Sequence, residues 1–362
     1  MKIWLFNYDE IISKGTNPRL LGYYEYLKKH GHQPCFCFLK GSHKQNSDYN
    51  YNRVNRKASL VLLNVLIYCI KILSHKPIHT AYFYGPNAIF IPIYLACQIR
   101  GVRVVIEKVE LDSTKEVATI KDIINWSLYQ LDEWFAPRLS NALIVISSRL
   151  ALHYQRWNKK TSIVSAFTPY HSLDKPVSHG DSHASFTIGY LGSFANKDDI
   201  ETLISAHEYV SKQLPDAQLK LIGNLPSRYG HLTLYKNVIC IENVASEDIH
   251  SHLLTCDVLI AIRKNTEYSH YGFPSKLTEY LATGIPTIVT PTSDIPELFN
   301  DGEHVVFIPH GDYQALGEAI LAVSRDKERF DKMGSNAYQW SNANWHPDKV
   351  LKPWIDAVSP SN

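Results

Sequence analysis

The sequence predicts an α/β protein of two domains, each built on a parallel sheet. Three observations predict it. The 362 residues exceed what one hydrophobic core usually supports. Short apolar runs alternate with helical patterns, joined by connections short enough for right-handed crossovers between parallel strands. A break rich in Pro, Ser, His and Asp, around 169–185, lacks periodicity, and the alternation restarts beyond it. The boundaries read as a first domain over 1–168, a linker over 169–185, a second domain over 186–344, and a terminal helix over 345–362 that returns to the first domain.

KIWLFN is the first strand, followed by a loop over Ser13–Asn17 and a helix that stops at KKHGH, where Gly31 can take a left-handed cap. PCFCFL is the second strand. Lys40–Lys57 has almost no aliphatic residues and reads as a long loop, of a length that is usually functional or disordered. Ala58–Leu73 is the longest strongly apolar stretch, interrupted by Asn64 and Lys71 and too short to span a bilayer. It reads as a buried crossover helix; a helix lying on an anionic membrane surface is the alternative, given its basic flanks. HTAYFYG, VRVVIE and ALIVIS follow as strands, separated by helical IFIPIYLACQIR and IINWSLYQLDEWFAPRL. In the second domain the strands are FTIGYLGS, AQLKLIGN, NVICIE, DVLIAI, PTIVT and HVVFI, with helices at DIETLISAHEYVSKQL, SEDIHSHLLTC and SKLTEYLATG. HPDKVLKPWIDAV closes the chain as a helix. Two such sheets facing a cleft would bind ligands at their strand carboxyl ends.

Composition excludes several function classes. Hydrophobic residues at 45% and charged residues at 20% describe an ordinary globular chain. A net charge of +2 supplies no concentrated basic surface for nucleic acid. Six cysteines without a CxxC pair argue against a disulfide framework or a zinc site and for a reducing compartment. The 17 histidines show no HExxH spacing. The start, MKIWLFNYDE, lacks the apolar region of a signal peptide, so the expected location is cytoplasmic, with peripheral contact at the inner membrane face through the 40–73 region left open.

The chemistry concentrates in Asp257–Thr290. A buried strand ends at Ile262 and a polar loop, Arg263–Tyr271, leaves it. Gly272 permits close backbone approach, and Pro274 suits a first helical turn. The helix start at Pro274–Lys276 offers unpaired N–H groups to an anion such as a diphosphate, and Lys276 adds a full charge. Glu279 lies one turn beyond Ser275, and an acceptor-only carboxylate suits the two donors of a ribose diol. The bland readings are a solvated helical glutamate and an incidental lysine.

This stretch resembles the signature of retaining glycosyltransferases of the GT-B fold, in particular glycosyltransferase family 4 (group 1). The likeness rests on the Gly-aromatic-Pro turn, the Lys, the Glu-Tyr-Leu-Ala helix and the Gly-x-Pro exit, from Gly272 to Pro286. Tyr190–Ala206, Ile222–Asn224 and the Lys14–Arg19 loop are similar to other family segments. The resemblance implies two Rossmann-like domains, a nucleotide-diphosphate sugar as donor, retention at the anomeric carbon, and transfer without a metal or other cofactor. It places Glu279 on the donor ribose, the backbone of Gly272, Phe273, Pro274 and Ser275 at the sugar and diphosphate, and Lys197 at the diphosphate. Gly192 and Ser193 form the loop after the first donor-domain strand. The family often has an acid where Tyr271 stands and an arginine where Ser193 stands. Glu267 could supply the first, and Lys276 or Arg263 the second.

On the acceptor side Gly15 and Thr16 are candidates, as is Glu110 for a general base beyond VRVVIE, alongside Glu107 and Lys108. An exposed charged loop is the alternative for Glu110. The absence of any Asp-x-Asp pair fits metal-independent transfer. The expected function is transfer of a hexose-type sugar to a glycan or lipid-linked glycan in cell-surface polysaccharide biosynthesis. The alternatives are a nucleotide-sugar-binding protein without transfer activity and a sugar-nucleotide epimerase on the same scaffold.

Overall fold

The computed structural model describes residues 1–9, 18–40, 49–51, 60–74, 78–85, 87–111, 119–173 and 185–359. They divide into two compact units, one of Met1–Ser165 with Pro347–Asn362 and one of Ala166–His346. Each carries a six-stranded sheet, parallel throughout, so the α/β expectation holds.

The first unit runs β1 (Lys2–Asp9), α1 (Pro18–Lys29), β2 (Gln33–Lys40), α2 (Val61–Ser74), β3 (Thr80–Tyr84), α3 (Ile91–Ile99), β4 (Arg103–Lys108), α4 (Ile120–Leu139), β5 (Ala142–Val145), α5 (Ser148–Gln155) and β6 (Thr161–Ile163). The strand order is β2-β1-β3-β4-β5-β6. Gly31 takes φ +75° after α1, as its place after KKH requires. The order reverses between β1 and β3, so right-handed crossovers send α1 to one face and α2 through α5 to the other. The C-terminal helix, Pro347–Val358, belongs to this unit: Trp354 stacks on Tyr23 at 4.4 Å, and Thr80 Oγ1 donates to the Val358 carbonyl at 2.7 Å.

Glu107 lies at the centre of this unit, fully buried. Its Oε1 accepts from Arg19 Nε at 2.7 Å and Tyr23 Oη at 2.9 Å, and its Oε2 from Tyr82 Oη at 2.5 Å. Arg19 spends its other nitrogens on the Val164 and Ser165 carbonyls, both at 2.7 Å. A buried ion pair is tolerable when its remaining lone pairs and protons are met in this way. Lys108 is likewise buried, donating to Asp132 at 2.5 Å and Glu133 at 2.6 Å. Neither residue of the strand end is the open, ligand-facing charge its position suggested, because each is consumed by partners from α1, α4 or the adjacent strand β3.

The second unit contains α6 (Tyr170–Leu173), β7 (Thr187–Leu191), α7 (Ile200–Ser211), β8 (Gln218–Ile222), β9 (Val238–Ile241), α8 (Ser246–Leu253), β10 (Val258–Ala261), α9 (Glu267–Tyr271), α10 (Lys276–Leu281), β11 (Thr287–Val289), α11 (Ile295–Leu298), β12 (Val306–Phe307), α12 (Tyr313–Arg325) and α13 (Lys327–Asn344). Its order is β12-β11-β10-β7-β8-β9, with the reversal between β7 and β10. Ile188, Tyr190, Leu203, Leu219, Ile260 and Ile320 are among the buried residues of its core. α13 packs on α10, and the contact has no spare room. A Cβ added at Gly334 would stand 1.9 Å from the Gly284 carbonyl oxygen, where both sides are backbone.

Gly334→Ala is therefore expected to lower the unfolding free energy by about 1–3 kcal/mol, the usual cost of overpacking. Chemical denaturation checks it; an unchanged midpoint would show that α13 and the α10 exit separate without cost.

Candidate functional site

The site is built where the second sheet reverses its order, at the carboxyl ends of β7 and β10. Parallel sheets leave a crevice at such a point because the crossovers depart to opposite faces. The loop after β7 supplies Gly192, Ser193, Lys197 and Asp198, and the strand end of β10 supplies Arg263. The two segments are joined by a bridge between Asp198 and Arg263, and the Lys264 amide donates to the Lys197 carbonyl at 2.9 Å.

α10 is fixed over these ends. Tyr280 Oη accepts from the Leu191 amide at 2.6 Å and donates to the Ile260 carbonyl at 3.3 Å, so one hydroxyl ties the helix to both strands. Phe273 anchors the preceding turn in an aromatic cluster, 5.7 Å from Trp345, which in turn meets Phe299 and Trp340. Gly272 and Pro274 are buried and Ser275 is exposed. Gly272 has φ −88°, open to any residue, so no left-handed turn explains the glycine. The segment after Arg263 is also more ordered than a loop: Thr266 caps α9, its Oγ1 accepting from the Ser269 amide at 3.2 Å. α10 has six residues and starts after Pro274, so its macrodipole is slight beside the full charges around it.

Those charges converge. Lys276 Nζ donates to Tyr190 Oη at 2.7 Å, lies 3.2 Å from Asp198 Oδ1, and sits 4.0 Å from the centre of the Tyr190 ring. Gly192 makes room for this: a Cβ there would stand 2.7 Å from Tyr190 Oη and 2.8 Å from Lys276 Nζ. Gly223, at the end of β8, has φ +126°, and a Cβ would approach the Gly192 carbonyl oxygen to 2.1 Å. Two glycines thus let two loops and a lysine share one small volume.

Burial pushes Lys276 down to about 8, with Arg263 acting in the same direction and Asp198 opposing. Lys197 falls to about 7, again through burial first and then repulsion from Arg263. Burial alone would raise Asp198, yet Lys276, Tyr190 and Arg263 outweigh it and hold the carboxyl below its ordinary range. Three cations therefore share one carboxylate. Arg263 is only 5% exposed and serves as a pin, its Nη1 donating to the carbonyls of Ser269 at 3.4 Å and Gly272 at 3.2 Å.

Glu279 is 8% exposed, and among the described residues it has no hydrogen-bond or ion-pair partner. Burial alone raises its carboxyl to about 7. It is not the solvated helical glutamate of the bland reading.

The remaining expectations fall apart from this cluster. Ser193 is exposed, and Phe194 beside it takes φ +53°, its carbonyl accepting from Arg228 Nη2 at 2.6 Å. Glu267 is exposed and accepts from Tyr271 Oη at 3.4 Å across one turn of α9. Glu110 lies just beyond β4 in the first unit and is half-buried. Gly15 and Thr16, most of the Lys40–Lys57 loop and most of the linker lie outside the described residues. Asp198, Tyr190 and Tyr280 were missed by sequence reasoning. The signal is present only for Asp198, as one of two acids following Lys197 ahead of a helix; the structure shows no side-chain cap from Asp199.

Residues 174–340 match the family described as Glycosyl transferases group 1. The chain is 22% identical over 179 residues to N-acetyl-alpha-D-glucosaminyl L-malate synthase of Bacillus anthracis, covering 49% of this chain and 46% of that protein. It is 24% identical over 159 residues to the capsular polysaccharide biosynthesis glycosyltransferase CapM of Staphylococcus aureus, covering 42% and 40%. These matches span less than half the length of either curated relative. Among solved structures, Anabaena Alr3699/HepE in complex with UDP and glucose has the same fold, with a TM-score of 0.74 at 14% identity over 100% of both chains. The family match lies within the second unit, and the whole chain shares the fold of the Anabaena structure.

Proposed function

We propose that this protein transfers a hexose-type sugar from a nucleotide-diphosphate donor to a glycan or lipid-linked glycan. The observation that carries the reading is the gathering of charge at the end of β7: among the described residues, Lys197, Arg263 and Lys276 cluster around the Asp198 carboxylate. A diphosphate is the complement of such a site. Breaking the glycosyl–phosphate bond sends its electron pair to the departing diphosphate, and cations already in place stabilise that charge without reorganising. The acceptor oxygen bonds to the anomeric carbon as the leaving group departs, and the acceptor proton passes to the departing diphosphate. In this reading Lys197, Arg263 and Lys276 take the place of a metal at the diphosphate, as the family resemblance implies.

Glu279 supports the same reading from the nucleoside end. A largely buried carboxyl without a protein donor keeps its acceptor positions open, and two ribose hydroxyls would fill them. The printed name of the Staphylococcus aureus relative places it in capsular polysaccharide biosynthesis, and the Anabaena structure holds UDP; both favour a UDP-sugar donor and a cell-surface glycan here. Retention follows from the family resemblance. A donor-binding protein without transfer is the second reading, favoured by Tyr271 where the family has an acid; hydrolysis of the donor without acceptor separates the two.

A thermal-shift screen of UDP-, GDP- and ADP-sugars is expected to find a stabilising donor. Glu279→Ala should weaken its binding roughly 10- to 100-fold, the worth of one lost charge-assisted hydrogen bond at about 1.5–3 kcal/mol. An undiminished shift in the variant would remove Glu279 from the site.

A second expectation concerns the free protein. With the folded carboxyl at about 7 against an ordinary 4.5, the folded state holds a proton that the unfolded state has released between those values. Stability therefore falls as pH rises through that window, by about 3 kcal/mol once complete. Glu279→Gln should raise the unfolding midpoint above about pH 7 and lose this advantage below about pH 4. A gap independent of pH would show that the carboxyl is not held protonated.

A further inference from the structure

The first unit carries an apolar surface that its own fold leaves open. α2, α3 and α4 lie side by side on one face of the sheet, α3 packing against both neighbours. α2 is apolar on both faces, with Val61, Val65, Tyr68 and Ile72 buried. Its one amide, Asn64, is buried and donates to the Leu39 carbonyl at 2.7 Å, while Leu62, Leu66 and Ile70 are 76%, 54% and 55% exposed. These residues recur every four positions and form one outward stripe. α3 continues it with Leu95 and Ile99, the latter 75% exposed, and α4 with Ile124 and Leu131. Apolar surface this continuous marks an interaction site.

Charge decides what covers it. From Tyr49 to Ile106 the sequence has seven Lys or Arg and no Asp or Glu. Among the described side chains of α2 through α5 and their ends, the cations Lys71, Arg100, Arg138, Arg149 and Arg156 reach the surface. The described acids, Asp132 and Glu133, are turned inward and bonded to Lys108. Arg138 stands 4.6 Å from the ring of Trp134 and 5.4 Å from that of Trp157, and Arg156 4.0 Å from the latter. Exposed tryptophans flanked by arginines suit the zone between lipid headgroups and acyl chains. A symmetric contact with a second copy would set these cations against their own images, which is unfavourable.

We infer that the outer face of α2, α3 and α4 docks on an anionic lipid bilayer, with the leucine and isoleucine stripes entering the acyl boundary and the arginines meeting lipid phosphates. The helices lie on the membrane: among the described residues none is long and apolar enough to cross it. The inference is independent of the donor assignment, because it uses none of the same residues.

Co-sedimentation of the full chain with vesicles tests it. Binding is expected to mixed phosphatidylcholine and phosphatidylglycerol vesicles, falling as salt rises and much weaker on phosphatidylcholine alone. The double variant Leu66→Glu, Ile70→Glu should lose about tenfold or more of the anionic-vesicle affinity. Ile99→Glu, on a different helix, should act in the same direction. All are exposed positions, and unfolding midpoints near that of the parent would confirm folding. The inference is overturned if the parent chain stays in the supernatant with anionic vesicles, or if folded variants bind as well as it does. It is equally overturned if analytical ultracentrifugation shows a dimer that the variants dissolve while no vesicle binding occurs, which would assign the face to a second copy.

Discussion

Lys276 is held between the hydroxyl of Tyr190 and the carboxylate of Asp198, in a space that exists because residue 192 has no side chain. Much of the second unit is arranged to permit that contact. The Gly192 carbonyl presses against Gly223, so the β8 loop must give way, and it does so by adopting a conformation that side chains rarely take. Tyr280 fixes the helix that carries Lys276, and Phe273 fixes the turn before it. Arg263 spends part of its guanidinium on the carbonyls of that same turn. Each constraint would be an expensive way to bury a lysine for stability alone, since burial lowers the affinity of Lys276 for its own proton. The arrangement makes sense as preorganisation, in which the free protein tolerates unneutralised charge that a bound anion would relieve.

Glu107 and Glu279, two of the three buried glutamates among the described residues, show what distinguishes a structural charge from a functional one. Glu107 accepts from an arginine and two tyrosines, and its burial is matched bond for bond. Glu279 is nearly as buried and has no partner among the described residues. Stability selects the first arrangement, because an ionised group taken from water must be met by donors. The second is tolerated because burial raises its carboxyl to about 7, toward the neutral form, and it leaves acceptor positions that a ligand can fill. Exposure figures alone would place both residues in the same class.

The legible parts of the fold were those with a strong period or bracket. Eleven of the strands stand out as apolar runs closed by Gly, Pro or polar turns; β6, with three residues, is too short to show a pattern. The helices α12 and α13 went unread beyond HVVFI, although Asp312 and Asp326 cap their starts and α12 carries an apolar face of Leu316, Ile320, Leu321 and Val323. Within the site, Glu279 and Lys276 were legible through the Gly-Phe-Pro and Gly-Ile-Pro brackets. Tyr190 and Tyr280 were not. Their hydroxyls act at buried points, and from sequence a tyrosine in a strand or amphipathic helix is indistinguishable from core.

α2 exposes a deeper limit of periodicity. A helix that packs on a sheet and also presents leucines outward is apolar on both faces, so the hydrophobic pattern cannot say which face is covered. The crossover reading described its inner face, with Val61, Val65, Tyr68 and Ile72 buried, and overlooked the outer one. Asn64 misleads in the same way: it reads as the solvent side and is in fact the inside, where the Leu39 carbonyl needs a donor. The charge pattern carries the missing information. A net charge of +2 over the chain conceals a run of 58 residues, Tyr49 to Ile106, with seven cations and no anion. The described cations of the outer helices, Lys71, Arg100, Arg138, Arg149 and Arg156, gain much beside phosphate, so their place near an uncovered apolar face is best explained by the surface that would satisfy both at once.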